Sequence, residues 1–233
     1  NITTLHPISA AKANRLFWLG RYTERAYISL HLLRRYHDRM IDGDPNVYQE
    51  YSQRLSNGIP YPDKESFRTG YMYDSQNPCS IISALTAAND NAIVLREEIM
   101  SETLSYIQLS LCLIDRARNQ GEENITALQP VTDYLLAFWG SIDERLFDRR
   151  IRLLLRIGKL GENIDMHIRF DYPFYRINEA FESLKQCAEE EPQMVDHQAL
   201  KQLDVLLNEE SYEQRNDTYK ATLLCDINRI AMV

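Results

Sequence analysis

The stretch Leu16-Phe17-Trp18-Leu19-Gly20-Arg21-Tyr22-Thr23-Glu24-Arg25-Ala26 sets a glycine in strongly helical sequence, with a glutamate one helical turn beyond it. Ile157-Gly158-Lys159-Leu160-Gly161-Glu162-Asn163 repeats the pattern: an aliphatic residue, Gly, a basic residue, and Glu four positions after the Gly. Glycine inside a helix costs about 1 kcal/mol relative to alanine, so two matching occurrences call for a reason such as close packing or a buried polar neighbour. With Gly20 set on Gly158, Leu16 falls on Leu154, Phe17 on Leu155, Arg21 on Lys159, Glu24 on Glu162 and Leu30 on Ile168. The repeat predicts two related helical halves, each led by a long helix and packed with approximate two-fold symmetry. The alternative is a chance likeness between two amphipathic helices.

At about 100° per residue, Gly20, Glu24, Tyr27 and His31 share one stripe, and Gly158, Glu162, Asp165 and Arg169 share another. If the halves pack through these stripes, the glycines let the backbones approach and both carboxylates lie at the crossing. A carboxylate there must be paired, hydrogen-bonded or protonated, with Arg25, Arg169, His31 and the Tyr27 hydroxyl as the available partners. Two readings are open. In one, Glu24 and Glu162 are catalytic candidates with shifted pKa values in a polar centre that binds a ligand or transfers protons. In the other, Gly20, Glu24, Tyr27, Gly158, Glu162, Asp165 and Arg169 form a structural network that fixes how two helices cross. Bundle di-iron sites use Glu-x-x-His, which this chain lacks, so neither metal nor cofactor is expected.

The remaining sequence predicts an all-α fold of several helices. Eight Gly and eight Pro are few for 233 residues, and most sit where helices should start or stop. The first long helix is expected from a Ser9 cap to about Met40, ahead of the Asp42-Gly43-Asp44-Pro45 turn, with a short helix following at about Val47 to Leu55. Residues 57–77 carry Gly58, Pro60, Pro62, Gly70 and several Tyr, and read as an ordered loop across the bundle. Pro78 suits the first position of a helix to about Met100. Ser101 caps the next, to about Asn119. Pro130 opens another through Leu135 to Trp139, and the second long helix spans about Asp148 to Phe170. Three more are expected near Phe174 to Glu190, His197 to Glu209 and Thr218 to Met232. The whole chain, 1–233, reads as a single helical domain.

Composition narrows the function classes. The 26 Lys+Arg against 34 Asp+Glu give a net charge of -8, the wrong sign for general attraction to nucleic acid or an anionic membrane. No run approaches the roughly 18 apolar residues of a membrane span, and Asn1 to Pro7 lacks the features of a signal peptide, so a cytoplasmic location is expected. Cys79, Cys112, Cys187 and Cys225 are widely spaced, which argues for reduced, mostly core-packed thiols. Arg145, Arg149, Arg152, Arg156 and Lys159 fall on one arc of the second long helix. That arc is either a surface for a phosphate, an acidic peptide or an acidic protein, or a solvated face balanced by acidic neighbours. Arg21, Arg25, His31 and Arg96 complete the candidate ligand or partner contacts. No nucleotide-binding glycine loop, nucleophile elbow or His-Glu-x-x-His helix is present.

The segment Leu16 to Ala26 resembles the signature of the alpha-E family, a bacterial all-helical domain of unknown function with a Glu-Arg motif. Tyr73-Asp74-Ser75-Gln76-Asn77-Pro78-Cys79-Ser80-Ile81 is similar to the family's Asp/Asn-Pro-x-Ser-Ile segment. Asn91-Ala92, Arg96-Glu97 and Ser101-Glu102 add to the likeness, which covers roughly residues 9 to 170, with helices of no matched motif over 174–233. The chain departs from the family in reading Glu162-Asn163 where Glu-Arg is usual, and Ala88-Asn89-Asp90-Asn91-Ala92 where Ala-Arg-Glu-Asn-Ala is usual. The resemblance implies association with circularly permuted ATP-grasp and transglutaminase-like proteins in systems that form or cut amide bonds on peptides. On that footing the chain is expected to be an accessory partner that docks an ATP-grasp ligase or presents its peptide substrate. An acid-base enzyme built on Glu24 and Glu162 is the alternative, and a structural homo-oligomer the second alternative.

Overall fold

Ser9 opens the first helix as its side chain allows: its hydroxyl accepts the Lys12 amide at 3.2 Å, and α1 (Ala10–Ile41) follows, about 48 Å long at 1.5 Å per residue. This computed structural model describes residues 7–231; Asn1 to His6, Met232 and Val233 lie outside the described residues. Gly43, at φ +92, turns the chain into α2 (Val47–Gln53).

Where a loop was expected over 57–77, the chain folds α3 (Lys64–Tyr73). Asp63 caps it by accepting the Ser66 amide at 2.8 Å, and Phe67 and Tyr71 bury one face. Gly70 does not break this helix. It makes room for the Tyr61 ring, whose atoms would come within 2.2 Å of a β-carbon there.

Pro78 lies outside the next helix, contrary to expectation. Asn77 Oδ1 accepts the Cys79 amide, and Ser80 caps α4 (Ile81–Val94). That helix stops at Leu95 and gives way to the short α5 (Arg96–Ile99) and then α6 (Ser101–Asn119). Ser101 is the first residue of α6 rather than its cap; Met100 precedes it in the left-handed region, at φ 73.

A 3-10 turn at Ile125–Leu128 leads into α7 (Gln129–Arg145), and Asp148 caps α8 (Arg149–Arg169). Arg145 therefore sits on α7, not on the helix of the other basic residues. The rest of the chain forms α9 (Phe174–Glu190), α10 (His197–Leu206), α11 (Glu209–Glu213) and α12 (Asp217–Asn228). The expected final helix thus ends at Asn228. Among the described residues the one β feature is an isolated bridge between Val195 and Ala231.

Helix α8 divides two hydrophobic cores. Ile151, Leu154, Leu155 and Met166 pack with α1 to α4, α6 and α7, whereas Leu153, Ile157, Ile164 and Ile168 pack with α9, α10 and α12. Apolar residues on both flanks force any polar group between them out of water. Of the cysteines only Cys187 is buried; Cys79 is half-buried, Cys112 and Cys225 are exposed, and all are free, which corrects the expectation of mostly core-packed thiols. No helix among the described residues is long and apolar enough to cross a membrane.

Candidate functional site

Helices α1 and α8 cross at their glycines, and the contact is reciprocal. A β-carbon on Gly20 would sit 2.2 Å from the Leu155 carbonyl oxygen, and one on Gly158 would sit 2.1 Å from the Phe17 carbonyl oxygen. Phe17 and Leu155 are themselves matched positions of the repeat, so each helix puts its glycine against the same part of the other. Contacts rise together along both helices, from Phe17–Gly158 through Glu24–Asn163 to Tyr36–Phe170, so the two run in the same direction. The reciprocity is a local one, between these two glycines and the carbonyls they face. Gly161 is not part of it; its nearest neighbour would be 3.8 Å from a β-carbon.

One side of the crossing holds a charged cluster. Arg21 is only 1% exposed and spends its guanidinium on three partners: Glu162 through Nε at 2.6 Å, Asp165 through Nη2 at 3.0 Å, and Asn228 through Nη1 at 2.8 Å. Arg25 donates to both oxygens of Glu162, at 2.6 and 3.2 Å. Arg169 donates through Nε to Asp165 at 2.5 Å and through Nη1 to Ser56 at 2.5 Å. Burial pushes the Glu162 carboxyl up, but Arg25 and Arg21 together outweigh it and hold the group below the ordinary carboxylate range. Glu162 is therefore a fixed anion at neutral pH.

The other side holds Glu24, 3% exposed. Its Oε1 accepts from Asn163 Nδ2 at 3.1 Å, and its Oε2 makes no hydrogen bond of ordinary geometry among the described residues, with the Trp139 indole N–H as its neighbouring donor. Burial raises its pKa to about 7, against the opposing pull of Lys159, the Asn163 hydrogen bond and, more weakly, the Trp139 indole, and Glu162 raises it further. Lys159 Nζ lies 4.5 Å from the centre of the Trp139 ring. The repeat explains the contrast. Arg21 and Arg25 serve Glu162, and their counterparts Lys159 and Asn163 serve Glu24. Replacing two forked guanidiniums by an ammonium and an amide leaves the second carboxylate short of donors.

The structure brings Gly20, Gly158, Glu162, Asp165, Arg169, Arg21 and Arg25 together, but separates Glu24 and Glu162 onto different partner sets. Tyr27 is half-buried on the Glu24 side, and burial, with Glu24 nearby, raises its pKa. His31 is exposed, stacked edge-on to Tyr27 at 4.6 Å, and belongs to no network at the crossing. Arg96 is exposed at the start of α5, in a shallow groove with Lys12 and Arg15, away from the cluster. The basic arc is largely engaged. Arg149 pairs with Glu190, Arg145 with Glu102, Arg152 reaches the Leu146 carbonyl oxygen, and Lys159 faces inward; Arg149 and Arg156 are the exposed members of the α8 set, and of these Arg156 has no ion pair among the described residues. Among the described residues no three His, Cys, Asp or Glu side chains gather as a metal would require.

A cavity of about 290 Å³ opens on the charged side. Arg21, Arg25, Arg169, Glu162 and Asp165 supply its charges, Trp18, Tyr22, Leu55 and Met166 its apolar wall, and Ser56, Asn57, Cys79 and Asn228 further polar groups. The Leu55–Asn57 wall is pinned where Arg54 bonds Asp171 at 2.5 Å and the Arg169 carbonyl oxygen at 3.2 Å. Sequence reading missed Asn228, Ser56 and Cys79 as neighbours of the site. The Asn77-Pro78-Cys79-Ser80 segment was the available signal for Cys79.

An all-helical bundle whose two longest helices notch into each other beside a buried Glu-Arg pair defines the class of this domain. Residues 9–223 match the family described as Alpha-E, a predicted alpha-helical domain with a conserved ER motif, and Glu24-Arg25 answers to that description. The chain belongs to the Alpha-E family, and the match runs past residue 170 into the C-terminal helices that carried no motif of their own. No curated protein and no solved structure matches it.

Proposed function

We propose that this domain is a non-catalytic helical partner in an ATP-grasp-type system that forms amide bonds, where it docks the ligase or presents its peptide substrate. The ATP-grasp connection rests on the resemblance set out above. The observation that carries the non-catalytic part is the division of the two carboxylates. Glu162 is held ionised by two guanidiniums, so it is a poor proton shuttle near neutral pH, while Glu24 does not line the cavity where a substrate would sit. A general acid-base pair needs both groups within reach of one substrate.

Co-expression with a circularly permuted ATP-grasp protein from the same organism, followed by purification at low salt, tests the proposal. A stable complex, and faster amide formation by the ligase when the domain is present, is the expected result. Turnover of an amide or amine by the isolated domain would overturn it, as would failure to associate with the ligase.

A further inference from the structure

The cavity beside the crossing carries one uncompensated positive charge. Three guanidiniums, Arg21, Arg25 and Arg169, face two carboxylates, Glu162 and Asp165, and no other ionised side chain lines the space. Each of the three guanidinium nitrogens of Arg21 has a partner, whereas Arg25 Nη1 and Arg169 Nη2 have no hydrogen-bond partner among the described residues. Glu162 and Asp165 hold these two guanidiniums in place from behind. Two such donors suit an oxyanion, and pre-set side chains lose little freedom on binding it.

From this arrangement we infer that the cavity is a binding site for the free carboxylate of a single amino-acid residue. The excess of one charge matches a carboxylate and falls short of a phosphate monoester, which carries about -1.5 to -2 at neutral pH. At about 290 Å³ the space is at the bottom of the roughly 300–1,000 Å³ range of small-molecule pockets, enough for one residue and too small for a folded segment. Trp18, Tyr22, Leu55 and Met166 give that residue's stem an apolar wall. The carboxylate comes either from a peptide C-terminus or from a free amino acid. The first source deepens the partner reading above, by naming what would be presented, and only that choice of source rests on it.

Isothermal titration of the full chain at low salt with N-acetyl-alanine, N-acetyl-alanine amide, free alanine, inorganic phosphate and an acetylated tripeptide, with its C-terminus free or amidated, tests the assignment. The free acids are expected to bind, and each amide to bind ten- to a hundredfold more weakly, as loss of a charge-assisted hydrogen bond implies. Tighter binding of the tripeptide acid assigns the peptide source, and tighter binding of alanine the free amino acid. Arg169→Gln removes one donor but also loosens Asp165. Asn57→Asp is the cleaner variant, because Asn57 is an exposed wall residue with no side-chain hydrogen bond among the described residues, and the new charge cancels the excess. Both are expected to lose at least tenfold in affinity. Equal binding of acid and amide, tighter binding of phosphate, or an Asn57→Asp protein that binds as well as the native one would overturn the assignment. Failure of the ligase to co-purify leaves these titrations intact, so the two proposals fail separately.

Discussion

Replacing Glu24 by Gln keeps the side chain's shape and removes its charge, and the structure fixes what should follow. In the folded protein this carboxyl titrates near 7 instead of 4.5, chiefly because it is buried. As pH rises from 4.5 the unfolded chain gives up its proton while the folded chain keeps it, so stability is fully present below about 4.5 and is lost as pH climbs through 7. At 1.36 kcal/mol per pH unit the whole displacement amounts to about 3 kcal/mol, of which about 2.5 falls between pH 5 and pH 8. His37 and His167 work in the opposite sense. Burial lowers both to about 4, so the stability they contribute is present above 6.5 and is lost as pH falls toward 4. The wild-type profile mixes these effects, and the difference between variant and wild type at each pH isolates Glu24. Urea denaturation at pH 5 and pH 8 should show that difference moving by about 2.5 kcal/mol in favour of Glu24→Gln, or roughly 5–10 °C in Tm for a chain of this size. A difference that stays constant from pH 5 to pH 8 would refute the account of Glu24 as a buried, under-partnered acid.

Asn163→Arg should give Glu24 the donor that Arg25 gives Glu162, lower its pKa to the ordinary range or below, and flatten the same pH-dependent component; an unchanged dependence would mean that the guanidinium does not reach it. Gly20→Ala and Gly158→Ala each drive a β-carbon into backbone, and should cost about 3 kcal/mol or more by chemical denaturation, since neither carbonyl can move without shifting its helix. Gly161→Ala, with nothing closer than 3.8 Å, should be neutral or stabilising by up to about 1 kcal/mol; equal losses at all three positions would disprove the reciprocal crossing.

Much of the helical layout was legible because caps and apolar spacing act locally. Ser9 and Asp148 cap the two long helices, and α9 runs from Phe174 to Glu190 as the spacing predicts. Helix α3 was illegible for a tertiary reason: Gly70 looks like a breaker until the Tyr61 ring is seen to need the space. The glycine notches could be read from the sequence because an internal glycine carries a local cost that demands a cause. The partner assignments could not. Adjacent residues such as Glu24 and Arg25 point about 100° apart, and which of them meets Glu162 depends on the rotation of each helix about its axis, which no spacing encodes. Arg21 had every mark of a surface contact, yet Glu162 and Asp165 on α8 and Asn228 on α12 take up its guanidinium and leave it 1% exposed.

The partners of Arg21 are widely separated in the chain. Glu162, Asp165 and Asn228 lie 141, 144 and 207 residues downstream. A guanidinium buried before they arrive would be an unpaired charge, at a cost of several kcal/mol. During synthesis, therefore, the first helix leaves the ribosome long before it has anything to close upon, and its polar face stays in water until α8 has been made. The final hydrogen bond waits for Asn228, so a nascent domain lacking α12 would leave Arg21 Nη1 without its partner even after α1 and α8 had met.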